Sequence, residues 1–170
     1  MDWLTTLRRS GGINALSRQI GASPAEVAAG TEALLPALLG GLRRVADRSG
    51  RGDEGVRALV DELATLGGGQ LAADVMGPGP LETDPGNAIL ELAIGPDVAR
   101  RAVLIEAERN AGLDQSLGER VLPGLAMLVG GYITARAGGS GAEGSGGLDG
   151  LGTLLNTLTP DENDADADRI

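Results

Sequence analysis

One segment of the sequence restricts the fold class more than any other, because it combines a helix start with leucines at helical spacing. Residues 23–26 read Ser-Pro-Ala-Glu, which supplies a serine N-cap, a proline at the first helical position and a glutamate that closes a capping box. The apolar residues that follow recur every three or four positions, as on one face of a helix: Leu35, Leu38, Leu39, Leu42 and Val45. This pattern predicts an α-helix.

Most of the chain repeats this pattern between glycine-rich and proline-rich breaks. Asp53, Asn87 and Asp114 are candidate N-caps, residues 70–86 are predicted to form a loop, and the last helix is predicted to be central because it is apolar nearly all round. The further predicted helices run from Trp3 to Leu7, Ile13 to Ile20, Asp53 to Leu63, Asn87 to Ile94, Val98 to Gly112 and Asp114 to Ile133.

The aromatic content supports an all-α fold. The chain of 170 residues has one Trp, one Tyr and no Phe, so Leu, Val, Ile and Ala must fill the core. Leu and Ala favour helices, whereas strands are enriched in β-branched and aromatic residues. We therefore predict one compact multihelical domain over residues 1–137, a size that buries about two-thirds of the surface of the unfolded chain.

Two stretches of the predicted domain resemble one another. Residues 20–41 and 111–131 each contain a glycine turn after a short helix, a capped helix with an internal proline, and a Gly-Gly pair near its end. The similarity is either a duplication of a helix-turn-helix-like unit or a coincidence in the order of the residues that begin, interrupt and end helices. Pro36 and Pro123 each remove a helical hydrogen bond, which predicts a kink or a break, and a hinge is the less favoured reading.

The C-terminal part of the chain differs in composition from the predicted domain. Residues 138–150 are rich in Gly and Ser, which predicts a flexible linker. Residues 151–170 contain a short apolar segment and an acidic tail predicted to be disordered. Five leucines at helical spacing are the candidate partner-docking residues: Leu148, Leu151, Leu154, Leu155 and Leu158. They could dock on their own domain, on another copy or in a partner's groove, and the first of these is slightly favoured.

Missing residue types argue against most kinds of enzyme. There is no Cys and no His, and every one of the 14 basic residues is Arg. Thiolate nucleophiles, imidazole bases, lysine Schiff bases and P-loop lysines are thereby excluded. Of the carboxylates, only Glu91 and Glu119 could meet through tertiary folding, because Asp61 and Glu62, like Glu106 and Glu108, project in different directions on a helix. We predict no catalytic residues, and a carboxylate-dependent enzyme is the least favoured reading.

No cofactor or metal site is predicted either. Residues 139–144 match a dinucleotide-binding glycine pattern, but they follow a helix instead of a strand. Asp164, Asp166 and Asp168 resemble the first ligands of a calcium loop, but Arg169 replaces the required glycine.

Nucleic-acid binding is the main alternative function. Residues 15–27 read as helix, turn and helix, and residues 1–51 carry seven Arg against four acids. However, the second helix opens with Ala25, Glu26 and Val27. None of these is an Arg, Asn or Gln that could read a base edge, and the phosphates would repel the Glu26 carboxylate. The net charge of −10 adds a general repulsion. The sequence therefore disfavours nucleic acid as a partner and favours an unidentified protein or a second copy of the chain.

The chain shows no signal for export or for membrane insertion. It begins Met-Asp-Trp-Leu, without the basic start and apolar core of a signal peptide. Its longest uncharged run, Val121 to Ala135, has 15 residues, whereas a membrane span needs about 20. We predict a cytoplasmic protein without a membrane span.

Several strings resemble those of the YidB-like family of bacterial domains of unknown function. The resemblance covers roughly residues 3–136 and implies a compact multihelical domain without an assigned activity. The strings are Gly-Gly-Ile-Asn-Ala-Leu at 11–16, Ile-Gly-Ala-Ser-Pro at 20–24, Ala-Leu-Leu-Pro-Ala-Leu-Leu-Gly-Gly-Leu at 33–42, Gly-Asn-Ala-Ile-Leu at 86–90, Asp-Val at 97–98, Ala-Gly-Leu at 111–113 and Leu-Pro at 122–123.

The chain departs from that family at one place. Family members often continue the string at 86–90 with Gly, His, an aliphatic residue, Phe and Gly, whereas this chain has Glu91-Leu92-Ala93-Ile94-Gly95. A role that needed the histidine is therefore in doubt here. Together these observations predict a non-catalytic protein-interaction or structural module.

Overall fold

The computed structural model describes residues 3–68, 70–77 and 79–139, which contain eight α-helices and no strand. The predicted all-α class is confirmed. The helices are α1 Trp3–Arg9, α2 Gly12–Ile20, α3 Pro24–Ser49, α4 Asp53–Thr65, α5 Gln70–Met76, α6 Asp84–Ala93, α7 Asp97–Ala111 and α8 Gln115–Gly139. The buried apolar side chains form a single cluster that extends from Trp3 to Ile133.

Helix α3 begins as the sequence predicts. The Glu26 N–H donates to the Ser23 hydroxyl oxygen at 3.1 Å, and the Ser23 N–H donates to the Glu26 carboxylate at 3.2 Å. Two backbone donors that have no partner within the helix are thus satisfied. The capping box is confirmed.

We expect Ser23→Ala to lower the free energy of unfolding by about 1 kcal/mol, because the N3 amide loses its acceptor at the N-terminus of α3. Ser23→Gly should cost only a few tenths of a kcal/mol, since glycine is tolerated at an N-cap. Urea unfolding followed by circular dichroism measures both values. Equal stability of Ser23→Ala and the natural chain would show that the box contributes nothing.

The predicted loop over residues 70–86 is wrong, because this stretch contains α5 and the start of α6. Leu71 and Val75 make one turn of apolar spacing, and both are buried. Helix α6 starts at Asp84 with a proline in its first turn, and the Asn87 N–H donates to the Thr83 carbonyl oxygen at 2.8 Å. Asn87 therefore lies inside α6 and is not its cap. The predicted cap at Asp53 is also wrong, because Asp53 is the first residue of α4 and Gly52 is the N-cap. A single apolar turn is too short for periodicity to reveal, and tertiary packing stabilises it.

The internal prolines and Gly-Gly pairs do not end their helices. Helix α3 continues through Pro36 and Gly41 to Ser49, and α8 continues through Pro123 and the second Gly-Gly pair to Gly139. The prediction that the Gly-Gly pairs stand near helix ends is wrong. Helix α8 is central as predicted, since every residue from 121 to 130 is buried.

Glycines stand where helices cross closely. A Cβ at Gly41 of α3 would overlap the backbone carbonyl of Ala93 in α6, and a Cβ at Gly86 of α6 would overlap that of Pro123 in α8. A Cβ at Gly131 of α8 would lie 2.6 Å from the Ala72 nitrogen in α5. At these positions the absence of a side chain lets the backbones meet, so part of the high glycine content serves packing and not turns.

The same contacts give the directions of three helices. The start of α6 meets α8 at Pro123, and further along α6 Ile89 meets Gly130, so α6 and α8 run the same way. Helix α3 meets α8 at Gly30 and α6 at Ala93, and so shares that direction. The C-terminal ends of α3, α6 and α8 therefore lie at one end of the molecule.

The two similar stretches share their local geometry. Gly21 ends α2 and Gly112 ends α7, both in the left-handed conformation with φ of 72° and 68°, and each donates its N–H to the carbonyl four residues earlier. The Ser116 N–H donates to the Asp114 carboxylate at 3.4 Å, so the predicted cap at Asp114 is confirmed. A duplication and a coincidence of helix punctuation would both produce this similarity.

The predictions for the C-terminal part fall mostly outside the described residues. Helix α8 includes positions 138 and 139, the first two residues of the predicted linker. The rest of that linker, the docking leucines from Leu148 to Leu158 and the acidic tail lie outside the described residues.

Candidate functional site

A cleft with a volume of about 650 Å³ lies between the C-terminal halves of α3 and α6. We call it the α3–α6 cleft. It is lined by Arg44, Asp47 and Arg48 of α3 and by Glu91, Leu92, Ala93, Ile94 and Gly95 at the end of α6.

The close approach of Gly41 to the Ala93 carbonyl holds the end of α6 against α3. Beyond that point the Ile94 and Gly95 N–H groups both donate to the Leu90 carbonyl oxygen, at 2.8 and 3.1 Å. Gly95 then leaves the helix with φ of 117°, which an L side chain rarely adopts. The wall formed by α6 is therefore fixed by backbone contacts.

The two walls of the α3–α6 cleft differ in charge and polarity. Arg44 and Arg48 are exposed on α3, and the Arg48 Nε–H donates to the Arg44 carbonyl oxygen at 3.3 Å. Asp47 forms an ion pair with Arg43 at 3.7 Å, which offsets its charge. The α6 wall carries half-buried Leu92 and Ile94 with exposed Glu91. The cleft thus offers guanidinium groups beside an apolar surface, which suits an amphipathic, acidic ligand.

The second cleft, of about 320 Å³, lies at the starts of α3 and α8, and we call it the α3–α8 cleft. Arg120 is its basic residue, and its Nη1 donates to the Ile20 carbonyl at the end of α2, at 3.1 Å. Glu26 and Asp114 are exposed there. The lining residues are Glu26, Ala29, Ala111, Gly112, Leu113, Asp114, Leu117 and Arg120. This cleft favours no anionic ligand.

The described carboxylates offer no enclosed acid–base pair. Every Asp and Glu between residues 3 and 139 whose side chain is described is exposed. Glu91 stands near the end of α6, whereas Glu119 precedes Pro123, which meets the start of α6, so folding does not bring these two together. In the described part of the chain, no group of three or more acidic residues is placed to hold a metal ion.

The helix-turn-helix segment presents an unsuitable surface to DNA. Helices α2 and α3 form around Gly21 as predicted, and the exposed positions early in α3 are Ala25, Glu26, Ala29 and Glu32. The first basic residue of α3 is Arg43. A recognition helix needs donors for base edges and cations for phosphates, and this face supplies acids.

The sequence contained signals for the α3–α6 cleft that periodicity alone did not reveal. The predicted docking leucines lie outside the described residues, so the structure does not place them. From the sequence, Arg44 and Arg48 could be recognised only as residues that lie off the apolar face of α3. Residues 91–95 could be recognised only as the place where the chain departs from the family pattern. Their shared position depends on the contact between Gly41 and Ala93.

One described helix passes a test of length and hydropathy for a membrane span. This is α3, and 56% of its most apolar window is buried inside the protein. A core helix passes the same test.

A family model described as "Bacterial protein of unknown function (DUF937)" matches residues 2–136. No curated protein and no solved structure matches the chain.

Proposed function

We propose that this chain, which belongs to the YidB-like DUF937 family of bacterial proteins of unknown function, is a non-catalytic protein-interaction module of the cytoplasm. The α3–α6 cleft is the main support for the proposal. Its arginine wall and its apolar wall suit a polypeptide segment that carries both leucines and acids. The exposed carboxylates add support, because general acid–base groups usually need burial or a charged neighbour to tune their pKa.

The docking element of the module is the leucine segment, residues 148–158. Its leucines fall at the spacing of a helix face, and such a segment gains affinity by burying that face in a groove. A protein partner or a second copy of the chain would supply the groove.

Nucleic-acid binding is the alternative, and the acidic early face of α3 disfavours it. A location in the cytoplasm without a membrane span is part of the proposal. The lack of a membrane span is supported by the burial of more than half of the apolar window of α3 and by the charged residues among its exposed positions, which are Glu26, Glu32, Arg44, Asp47 and Arg48.

We expect affinity capture from lysate of the native host to recover a protein with the full chain and to lose it with a chain that ends at Gly139. The loss should follow because the docking leucines are gone, while α8 stays complete. Capture with and without nuclease, followed by reconstitution with the purified partner, makes the measurement.

A full-length Leu151→Asp/Leu155→Asp variant tests the contribution of the leucines to binding while the acidic residues that follow them are kept. It should also lose the partner. A partner that binds equally to all three proteins would refute the proposal. Recovery of nucleic acid, or of proteins that disappear with nuclease, would support the helix-turn-helix alternative.

A further inference from the structure

We propose that the occupant of the α3–α6 cleft is this chain's own C-terminal segment, residues 148–168. The leucines would cover the apolar wall and the acids beyond residue 160 would meet the arginine wall. The inference rests on the leucine segment being a docking element, as in the proposed function. It adds the surface on which that element lies when no partner is present.

The end of α8 is close to the cleft. Gly30 and Val121 mark a common level of α3 and α8, since a Cβ at Gly30 would lie 3.6 Å from Val121 Cγ2. From that level Arg44 is about 21 Å along α3 and Gly139 is about 27 Å along α8, at 1.5 Å per residue. Adjacent helix axes lie about 8–10 Å apart. The segment therefore leaves α8 at the level of the cleft.

The reach of the linker between Gly139 and Leu148 also favours the α3–α6 cleft over the α3–α8 cleft. Residues 140–147 can span at most about 29 Å when fully extended. This length is ample for the α3–α6 cleft. The α3–α8 cleft lies about 30 Å away along α8, at Leu117 and Arg120, so the linker would have to be fully extended to bring Leu148 there.

Charge also distinguishes the two clefts. Residues 140–170 carry seven acids and one Arg, a net charge of −6. The α3–α6 cleft is lined by Arg44 and Arg48 and also by Glu91 and by Asp47, which pairs with Arg43, and residues 43–57 around it carry five Arg against three acids. The α3–α8 cleft is lined by Glu26 and Asp114 and by Arg120, whose guanidinium donates to the Ile20 carbonyl oxygen. An acidic segment is therefore attracted more strongly to the surroundings of the first cleft, with a net charge of +2 over residues 43–57, than to the second, whose lining has a net charge of −1.

The docked segment would act as an internal competitor. A partner that binds the leucines must displace them from the cleft, so the apparent affinity for that partner falls by the fraction of chains in which the segment is free. The absence of aromatic residues from residues 140–170 keeps the buried area of the segment modest, which suits a contact that a partner can displace.

The test is paramagnetic relaxation in the full-length protein. The natural chain has no Cys, so Asn156→Cys provides a single site for a nitroxide label. At helical spacing, position 156 falls on the face opposite the five leucines. We expect loss of the amide signals of Arg48, Ile94 and Gly95 in the oxidised state and their return on reduction. Signals of α1 and of the α3–α8 cleft should persist.

Two charge variants make the matched comparison. Arg44→Glu/Arg48→Glu should restore the cleft signals in the oxidised sample, whereas Arg101→Glu/Arg109→Glu, which makes the same charge change on exposed positions of α7, should not. Leu151→Asp/Leu155→Asp should also restore the signals, and it changes no described residue. Raising the salt to about 1 M shortens the Debye length to about 3 Å and should weaken the signal loss.

Cleft signals that persist in the oxidised natural sequence would overturn the inference. So would equal signal loss in a mixture of an isotope-labelled chain that carries no nitroxide with a spin-labelled chain that carries no isotope, since the occupant would then be a second copy. The two proposals can fail separately. If the paramagnetic effect is absent but a captured partner requires residues 148–158, only this inference fails. If the paramagnetic effect is present but no partner is captured from lysate, only the proposed function fails.

Discussion

Gly41→Ala should lower the free energy of unfolding by about 1–3 kcal/mol, although alanine is the better helix former by about 1 kcal/mol. The added methyl group would overlap the backbone carbonyl of Ala93. A backbone atom cannot rotate away as a side chain can, so α6 would have to move off α3. Urea unfolding followed by circular dichroism measures the loss.

Gly30→Ala is the matched control, because Gly30 is buried in the same helix but its added Cβ would lie 3.5 Å from the nearest atom, Leu113 Cδ1. This is ordinary van der Waals contact. We expect Gly30→Ala to be neutral or stabilising by up to about 1 kcal/mol, from helix propensity alone. If both variants shifted stability equally, the close crossing of α3 and α6 would be refuted.

Leu125→Ala should cost about 2–5 kcal/mol, which is a large part of the stability of a typical domain. Leu125 is fully buried near the middle of α8, within a run of ten consecutive buried residues from 121 to 130. Truncation would leave a cavity that several helices must move to fill. Thermal and urea unfolding of the purified variant measure the effect.

Val98→Ala serves as the comparison, since Val98 is 80% exposed. We expect its unfolding free energy to stay within about 0.5 kcal/mol of the natural value. A Leu125→Ala protein as stable as Val98→Ala would contradict the central position of α8.

The local signals in the sequence were reliable where one residue satisfies a backbone group nearby. The capping box at Ser23 and Glu26, the cap at Asp114 and the left-handed glycines at 21 and 112 all depend on contacts within about one helical turn. Such contacts are encoded by neighbours in sequence. The resemblance to the YidB-like family over the same region was confirmed by the family match.

The missed features depend on partners far along the chain. Helix α5 has one turn of apolar spacing and is stabilised by packing on α2 and α8. Gln19 on α2 also donates to the carbonyl oxygen of Val75 in α5 at 3.3 Å and to that of Gly79, beyond the end of α5, at 3.0 Å. The crossings at Gly41 and Gly131 were not predicted, because a glycine in a turn and a glycine at a helix crossing look alike in sequence.

The sequence by itself determined the helical class, the caps at Ser23 and Asp114, the glycine ends at 21 and 112, and the set of chemistries that the missing Cys, His and Lys exclude. These properties are local or compositional, so no fold is needed to read them. The tertiary structure alone decided which glycines are crossings, that α3, α6 and α8 end together, and that Arg44 and Arg48 face Leu92 and Ile94 across one cleft. Those relations arise from backbone contacts such as that between Gly41 and Ala93, which join residues about fifty positions apart, beyond the reach of helical periodicity.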